Sequence, residues 1–262
     1  MMYARVTLLN ICLLLLSAHQ AAHAQQVVTV KQGSVDKEIL VLPYYPYTFD
    51  STLVEKEPVN TGRMHKGKAK FTDQLSAVAL KTAEAGGNVF MLTKVEDRNQ
   101  RCDYKIWGRA CRTDKYDALK AKALSLKEKL LENGRYAYIV LYRPEYAHGF
   151  DDEADLVLTV NDTMHLEMKA SSKYIVQVPV AGDVKITNKN DVIVQHVDVK
   201  PGNVYYLRAY TKTTGKSKFV KVGESNVEIR GHASYFERID NAQGELESSL
   251  VTKITVMKKL GN

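Results

Sequence analysis

Apolar positions recur along this chain with two periods, and the change from one to the other divides it. After a polar lead-in, Glu38 to Leu42 is a short apolar run suited to a buried strand, and it ends in the aromatic, proline-rich segment Pro43 to Phe49. Leu75, Val78, Ala79 and Ala83 then recur at helical spacing, with Thr72 as an N-cap and Gly86-Gly87 as the stop. Val89 to Val95 and Tyr104 to Arg112 return to strand character. From Asp114 to Gly134 the three-four alternation of Tyr116, Leu119, Ala123, Leu126 and Leu130 predicts a connecting helix with one buried stripe, its lysines mostly off that stripe.

From Tyr136 onward the period is two. Tyr136 to Tyr142 predicts a strand, and Leu156 to Val160 and Thr163 to Met168 predict a hairpin through Asn161-Asp162. Further strands are expected at Tyr174 to Val178, Val184 to Thr187, Val192 to Val199, Val204 to Tyr210, Ser217 to Val222 and Val227 to Ile229. Many short alternating strands are the sequence form of a β-sandwich. In the tail, Leu246, Leu250, Ile254 and Met257 fit a helix, whereas the β-branched residues from Val251 to Val256 fit a strand; the helix is the weighted choice. The expected fold is an α+β N-terminal domain followed by an all-β antiparallel sandwich, mainly β overall. Its expected boundaries are 36–113 for the first domain, 114–134 for the helix, 135–231 for the sandwich and 232–262 for the tail.

The N-terminus reads as an export signal spanning residues 1–24. Arg5 supplies the basic region, Leu8 to Leu16 is the apolar run, and Ala22-His23-Ala24 offers small residues at the cleavage positions. The run is too short to span a bilayer comfortably. Cys12 leaves with it, so of 3 cysteines Cys102 and Cys111 remain, an even number in an exported chain, and a structural disulfide between them is expected. Their spacing does not suit a catalytic dithiol. The formal charge of +7 is modest and spread along the chain, which favours anionic envelope surfaces; export argues against nucleic acid.

Four blocks of the second half carry a resemblance: Ala137 to Arg143, the Val160-Asn161-Asp162 turn, Lys173 to Pro179 leading to Gly182, and Lys200 to Leu207. Together they resemble the successive blocks of a β-sandwich domain of unknown function found in bacterial envelope proteins. The resemblance implies an envelope location and no catalytic residues. Many such proteins are lipoproteins, and this chain departs from them in lacking the lipid-accepting cysteine. The passage Ala79 to Leu92 is similar to small α+β envelope domains braced by a disulfide.

Candidate chemistry is sparse. Gly62 to Ala69 nearly matches a phosphate-binding loop, but Ala69 removes the Mg²⁺-ligating hydroxyl and no strand immediately precedes it, so a basic surface loop is the better reading. Asp151, Asp152, Glu153 and Asp155 gather oxygen donors near His148 that could hold Ca²⁺, without EF-hand spacing, and solvated carboxylates are the plainer reading. His65, His165, His196 and His232 show no metal-binding pattern. There is no nucleophile elbow. No cofactor is expected. Asn161-Asp162-Thr163 matches a glycosylation acceptor that the turn already explains. Aromatic residues remain as the candidate binding surface: Tyr44, Tyr45, Tyr47 and Phe49, with Trp107, Tyr205 and Tyr206, whose amphipathic rings suit glycans or partner proteins. The expectation is a non-enzymatic exported envelope protein, in the periplasm or outer envelope, that binds an envelope protein, a glycan or an anionic surface. The alternative is a periplasmic hydrolase whose site is assembled from distant residues.

Overall fold

The computed structural model describes residues 26–43, 51–55, 57–61, 70–97, 104–122, 126–132, 134–144, 156–188, 191–222, 225–251 and 254–261. The fold is mainly β, as expected, and is built from three sheets. The first sheet contains β1 (Gln26–Gln32), β2 (Val35–Pro43), β3 (Thr52–Leu53), β4 (Val59–Asn60), β5 (Val89–Asp97) and β6 (Tyr104–Arg112). Its order is β1-β2-β5-β6-β3, with β4 also on β6. Helix α1 (Phe71–Glu84) crosses from β4 to β5 and makes β2 and β5 parallel neighbours. Lys70 is its N-cap rather than Thr72, and it ends where Gly86 takes a φ of +84°, a conformation that favours glycine.

One face of this sheet packs on α1 through Ile39, Val41, Phe90, Leu92, Ile106 and Ala110. On the other face Leu40, Leu42, Val89, Met91 and Cys111 meet Leu119 of α2 (Tyr116–Lys122). Lys120 secures α2 through an ion pair to Glu38 on β2, 2.6 Å long, and that contact leads the causes holding the Glu38 carboxyl below its ordinary value.

The remaining strands form a sandwich. Its central sheet runs β14-β13-β7-β10-β15, from β7 (Ala137–Arg143), β10 (Ser172–Val178), β13 (Val204–Val222), β14 (Ser225–Ile239) and β15 (Ile254–Lys259). The outer sheet runs β12-β11-β8-β9, from β8 (Leu156–Val160), β9 (Met164–Met168), β11 (Gly182–Asn188) and β12 (Asp191–Val199). Between them lies a core that includes Ile139, Leu141, Val176, Leu158, Ile186 and Val199. Asn161 and Asp162 have φ of +49° and +57°, a left-handed pair within the three-residue connection, closed by Thr163, between Val160 and its partner Met164, so β9 begins one residue later than expected. The expectation of purely antiparallel pairing is corrected: β7 with β13 and β10 with β15 are parallel, because the outer-sheet strands or the β13–β14 hairpin intervene along the chain.

The tail divides instead of choosing. Helix α4 (Asn241–Ser249) is followed by β15, which pairs with β10. Asp240 caps α4, its side chain accepting from the Gln243 amide at 3.0 Å. The short helix α3 (Leu126–Leu131) and α4 both lie on the central sheet's second face, where Leu130, Val140, Ile175, Tyr206 and Val251 pack together. Helix α4 also reaches the core of the first sheet, with Leu246 buried beneath α1 and Leu250 packed against it. Among the described residues no helix is long and apolar enough to cross a membrane.

The predicted Cys102–Cys111 disulfide is corrected. Cys111 is buried and unpaired at the end of β6 remote from Tyr104, about 23 Å along the strand at ordinary rise. Cys102 lies outside the described residues, and Cys111 itself packs against Leu119 of α2 without a sulfur partner. Burial, as the largest cause, raises the Cys111 thiol pKa.

Two outcomes follow from this packing. Alkylation of the folded chain without reductant leaves Cys111 unlabelled, and the same treatment in denaturant labels it, as peptide mass analysis will record. Gly244→Ala lowers stability by about 1–3 kcal/mol in chemical denaturation, because an added Cβ lies 2.3 Å from Cβ and 2.5 Å from Cγ of Tyr206. Helix propensity alone predicts the opposite, a gain of roughly 1 kcal/mol for alanine over glycine.

Candidate functional site

Two groups of polar side chains stand apart from the ordinary surface. The first is a row across the second face of the central sheet. Register aligns Glu237 on β14 with Arg208 on β13, Arg208 with Tyr142 on β7, and Tyr142 with Lys173 on β10. Alternation puts them on the face opposite the sandwich core, and α4 closes over them. Arg208, Tyr142 and Lys173 are all buried, as is Glu247 of α4, which has no exposed surface.

The contacts within the row lock helix to sheet. Tyr142 donates its hydroxyl proton to Glu247 at 2.8 Å, and Gln243 donates to the same carboxylate at 2.7 Å. Arg208 lies 3.4 Å from Glu247 and 2.8 Å from Glu237. Burial opposes the Arg208 charge, yet Glu247, foremost among the favourable partners, raises its pKa, so it remains a guanidinium. Arg208 also reaches Tyr104 of β6, its guanidinium carbon 5.7 Å from the ring centre, while Tyr104 meets Phe71 of α1 edge to face. Lys173 donates to the Ser248 carbonyl at 2.9 Å, satisfying a C-terminal acceptor of α4, and burial depresses its pKa from 10.5 to about 8.

The second group lies on the first sheet. Over β6 buried and half-buried residues alternate: Tyr104, Ile106, Gly108 and Ala110 turn inward, while Lys105, Trp107 and Arg109 occupy the opposite face. Helix α2 covers that face near Cys111. Further along β5 and β6 it stays partly open, and the register sets Lys94 beside Trp107, Glu96 beside Lys105 and Met91 beside Arg109. Lys94 pairs with Glu96 at 2.5 Å, and the Lys105 ammonium sits 3.8 Å from the centre of the Trp107 ring. The indole nitrogen of Trp107 is buried without a hydrogen-bond partner.

The candidate aromatic surface needs correction. Tyr205 is 8% exposed and Tyr206 fully buried, one in the sandwich core and the other beneath α4, because the central sheet is covered on both faces. Trp107 is half-buried and retains an open face of the sheet around it. Tyr44, Tyr45, Tyr47 and Phe49 lie outside the described residues, as do Asp151, Asp152, Glu153, Asp155 and the Gly62 to Ala69 loop. His196 contacts Asp183 at 2.5 Å, and His165 lies 3.3 Å from Thr159. Among the described residues no three His, Cys, Asp or Glu side chains are placed to hold a metal ion.

The row of Arg208, Tyr142, Lys173 and Glu247 was missed in sequence. Its available signals were a charge set into each of two apolar strands and the Asp240 cap ahead of Gln243. Comparisons with protein-family models, curated proteins and solved structures found no match.

The depressed Lys173 pKa makes stability depend on pH with a definite sign. Below about 8 both folded and unfolded chains hold the proton, so nothing changes. Between about 8 and 10.5 the folded state releases it while the unfolded state keeps it, and stability rises. Between pH 7 and pH 9.5 the wild type gains about 2 kcal/mol relative to Lys173→Met, measured by parallel denaturation at each pH.

Proposed function

We propose that this is an exported bacterial envelope protein that acts by binding an anionic partner through the open part of the first sheet's outer face. One observation carries the reading: Trp107 stands there with Lys94, Lys105 and Arg109 around it and Glu96 as the adjacent carboxylate. A half-buried aromatic among cations on a rigid strand is a recognition surface rather than packing. The ionisable groups of the α4 row support the same reading, since their hydrogen bonds hold a helix in place. The export-type leader and the envelope-like blocks of the second half support the location.

The test is capture from the bacterial envelope fraction with the mature chain and with a Lys94→Glu, Arg109→Glu double variant whose fold is checked by circular dichroism and thermal melting. The wild type retains envelope material that the double variant loses, and added salt weakens the retention. Equal retention by both chains, or turnover on a panel of hydrolase substrates, would overturn the reading.

A further inference from the structure

Building on that binding face, we infer that its occupant is the anionic phospholipid surface of a bilayer, docked reversibly through Trp107, Lys94, Lys105 and Arg109. The four side chains share one face of the sheet. Lys105 and Arg109 flank Trp107 along β6 at about 7 Å on either side, and Lys94 sits across from it on β5. Among the described residues of β5 and β6 on this face, Lys94, Lys105 and Arg109 stand with one carboxylate, Glu96, which pairs with Lys94. Such a layer matches a plane of headgroup phosphates.

Trp107 adds a second argument. Tryptophan settles at membrane interfaces because its ring is amphipathic. Here its indole N–H is buried without a partner, a standing cost in the undocked protein that ends when the ring turns outward and donates to a headgroup oxygen. The alternatives fit less well. A sugar would need a ring face to stack on, and the Lys105 ammonium occupies one at 3.8 Å. A protein partner would need about 20–30 residues a side for a stable interface, far more than this cluster supplies. Docking to a charged bilayer needs few residues, because each cation near the surface improves partitioning by about fivefold.

Trp107 is the only tryptophan of the 262 residues, so intrinsic tryptophan emission reports on this face alone. The mature chain is mixed at low salt with vesicles of phosphatidylcholine alone, or with phosphatidylglycerol added, using lipids with normal or brominated acyl chains. The expected result is co-sedimentation with the phosphatidylglycerol vesicles, quenching of Trp107 emission by the brominated form, and release at high salt. Lys94→Ala and Arg109→Ala each weaken partitioning about fivefold. Trp107→Phe, followed by sedimentation, weakens it as well and leaves the melting temperature near wild type.

Absence of both sedimentation and quenching overturns the inference. So does protection of Trp107 by soluble glycerol phosphate at the same phosphate concentration as the vesicles, since the site would then read a free phosphate and not a surface. If phosphatidylglycerol vesicles fail while envelope capture still depends on Lys94 and Arg109, the lipid assignment falls and the binding face stands. If capture is independent of those residues, the binding face falls too.

Discussion

A helix can lie on a β-sheet at backbone distance only where one of its residues has no side chain, and in this protein that residue is Gly244. It places α4 directly over Tyr206 and brings Glu247 down to Tyr142 and Arg208. The rest of the architecture depends on this contact. Without α4 the second face of the central sheet, with Val140, Ile175 and Tyr206, would lose a cover, and Leu246 would leave the core under α1. The same nine-residue helix therefore completes two cores. Its carboxylate also matters to both halves, because Glu247 keeps Arg208 charged and Arg208 reaches Tyr104 on the first sheet.

Such a buried ion pair is weak evidence of stability in itself. Removing charges from water costs several kcal/mol per ion, and the Coulombic return only roughly matches it. What the row supplies is direction. A purely apolar sheet face would accept a helix in several rotations, whereas Glu247 meets Tyr142 and Arg208, and the α4 C-terminus meets Lys173, in one. Glycine fixes how close the helix comes, and the polar contacts fix how it is turned.

Much of the framework was legible from short-range pattern. The strands alternate as read, and Asn161-Asp162 adopts the left-handed pair that its residue types favour. Failures came where the answer depends on what lies across from an element. Tyr205 and Tyr206 alternate as a half-exposed strand would, yet both are covered, because helices lie on one side and a second sheet on the other. The cysteine count suggested a bridge, but Cys111 is buried against Leu119 of α2 and is unpaired. Helix α4 was blurred because its buried residues include Gln243, Glu247 and Ser248, which break the apolar stripe a periodicity argument needs. Trp107 was singled out in the sequence as an amphipathic aromatic; its cationic surroundings appear only once β5 is laid beside β6.

Strand β6 links the two polar groups. Tyr104 and Trp107 are three positions apart, so they point to opposite faces of the sheet. On one face Tyr104 is held by Phe71 and by Arg208, and through Arg208 by α4 and the sandwich. On the other, Trp107 lies among Lys94, Lys105 and Arg109. The residues proposed to meet a partner are thus mounted on a strand whose reverse side is braced by the second half of the chain. Orientation of a few side chains governs weak electrostatic recognition, since three cations act together only if they present one plane. The sandwich contributes rigidity to that face, and the buried contact of Arg208 with Glu247 is what transmits it.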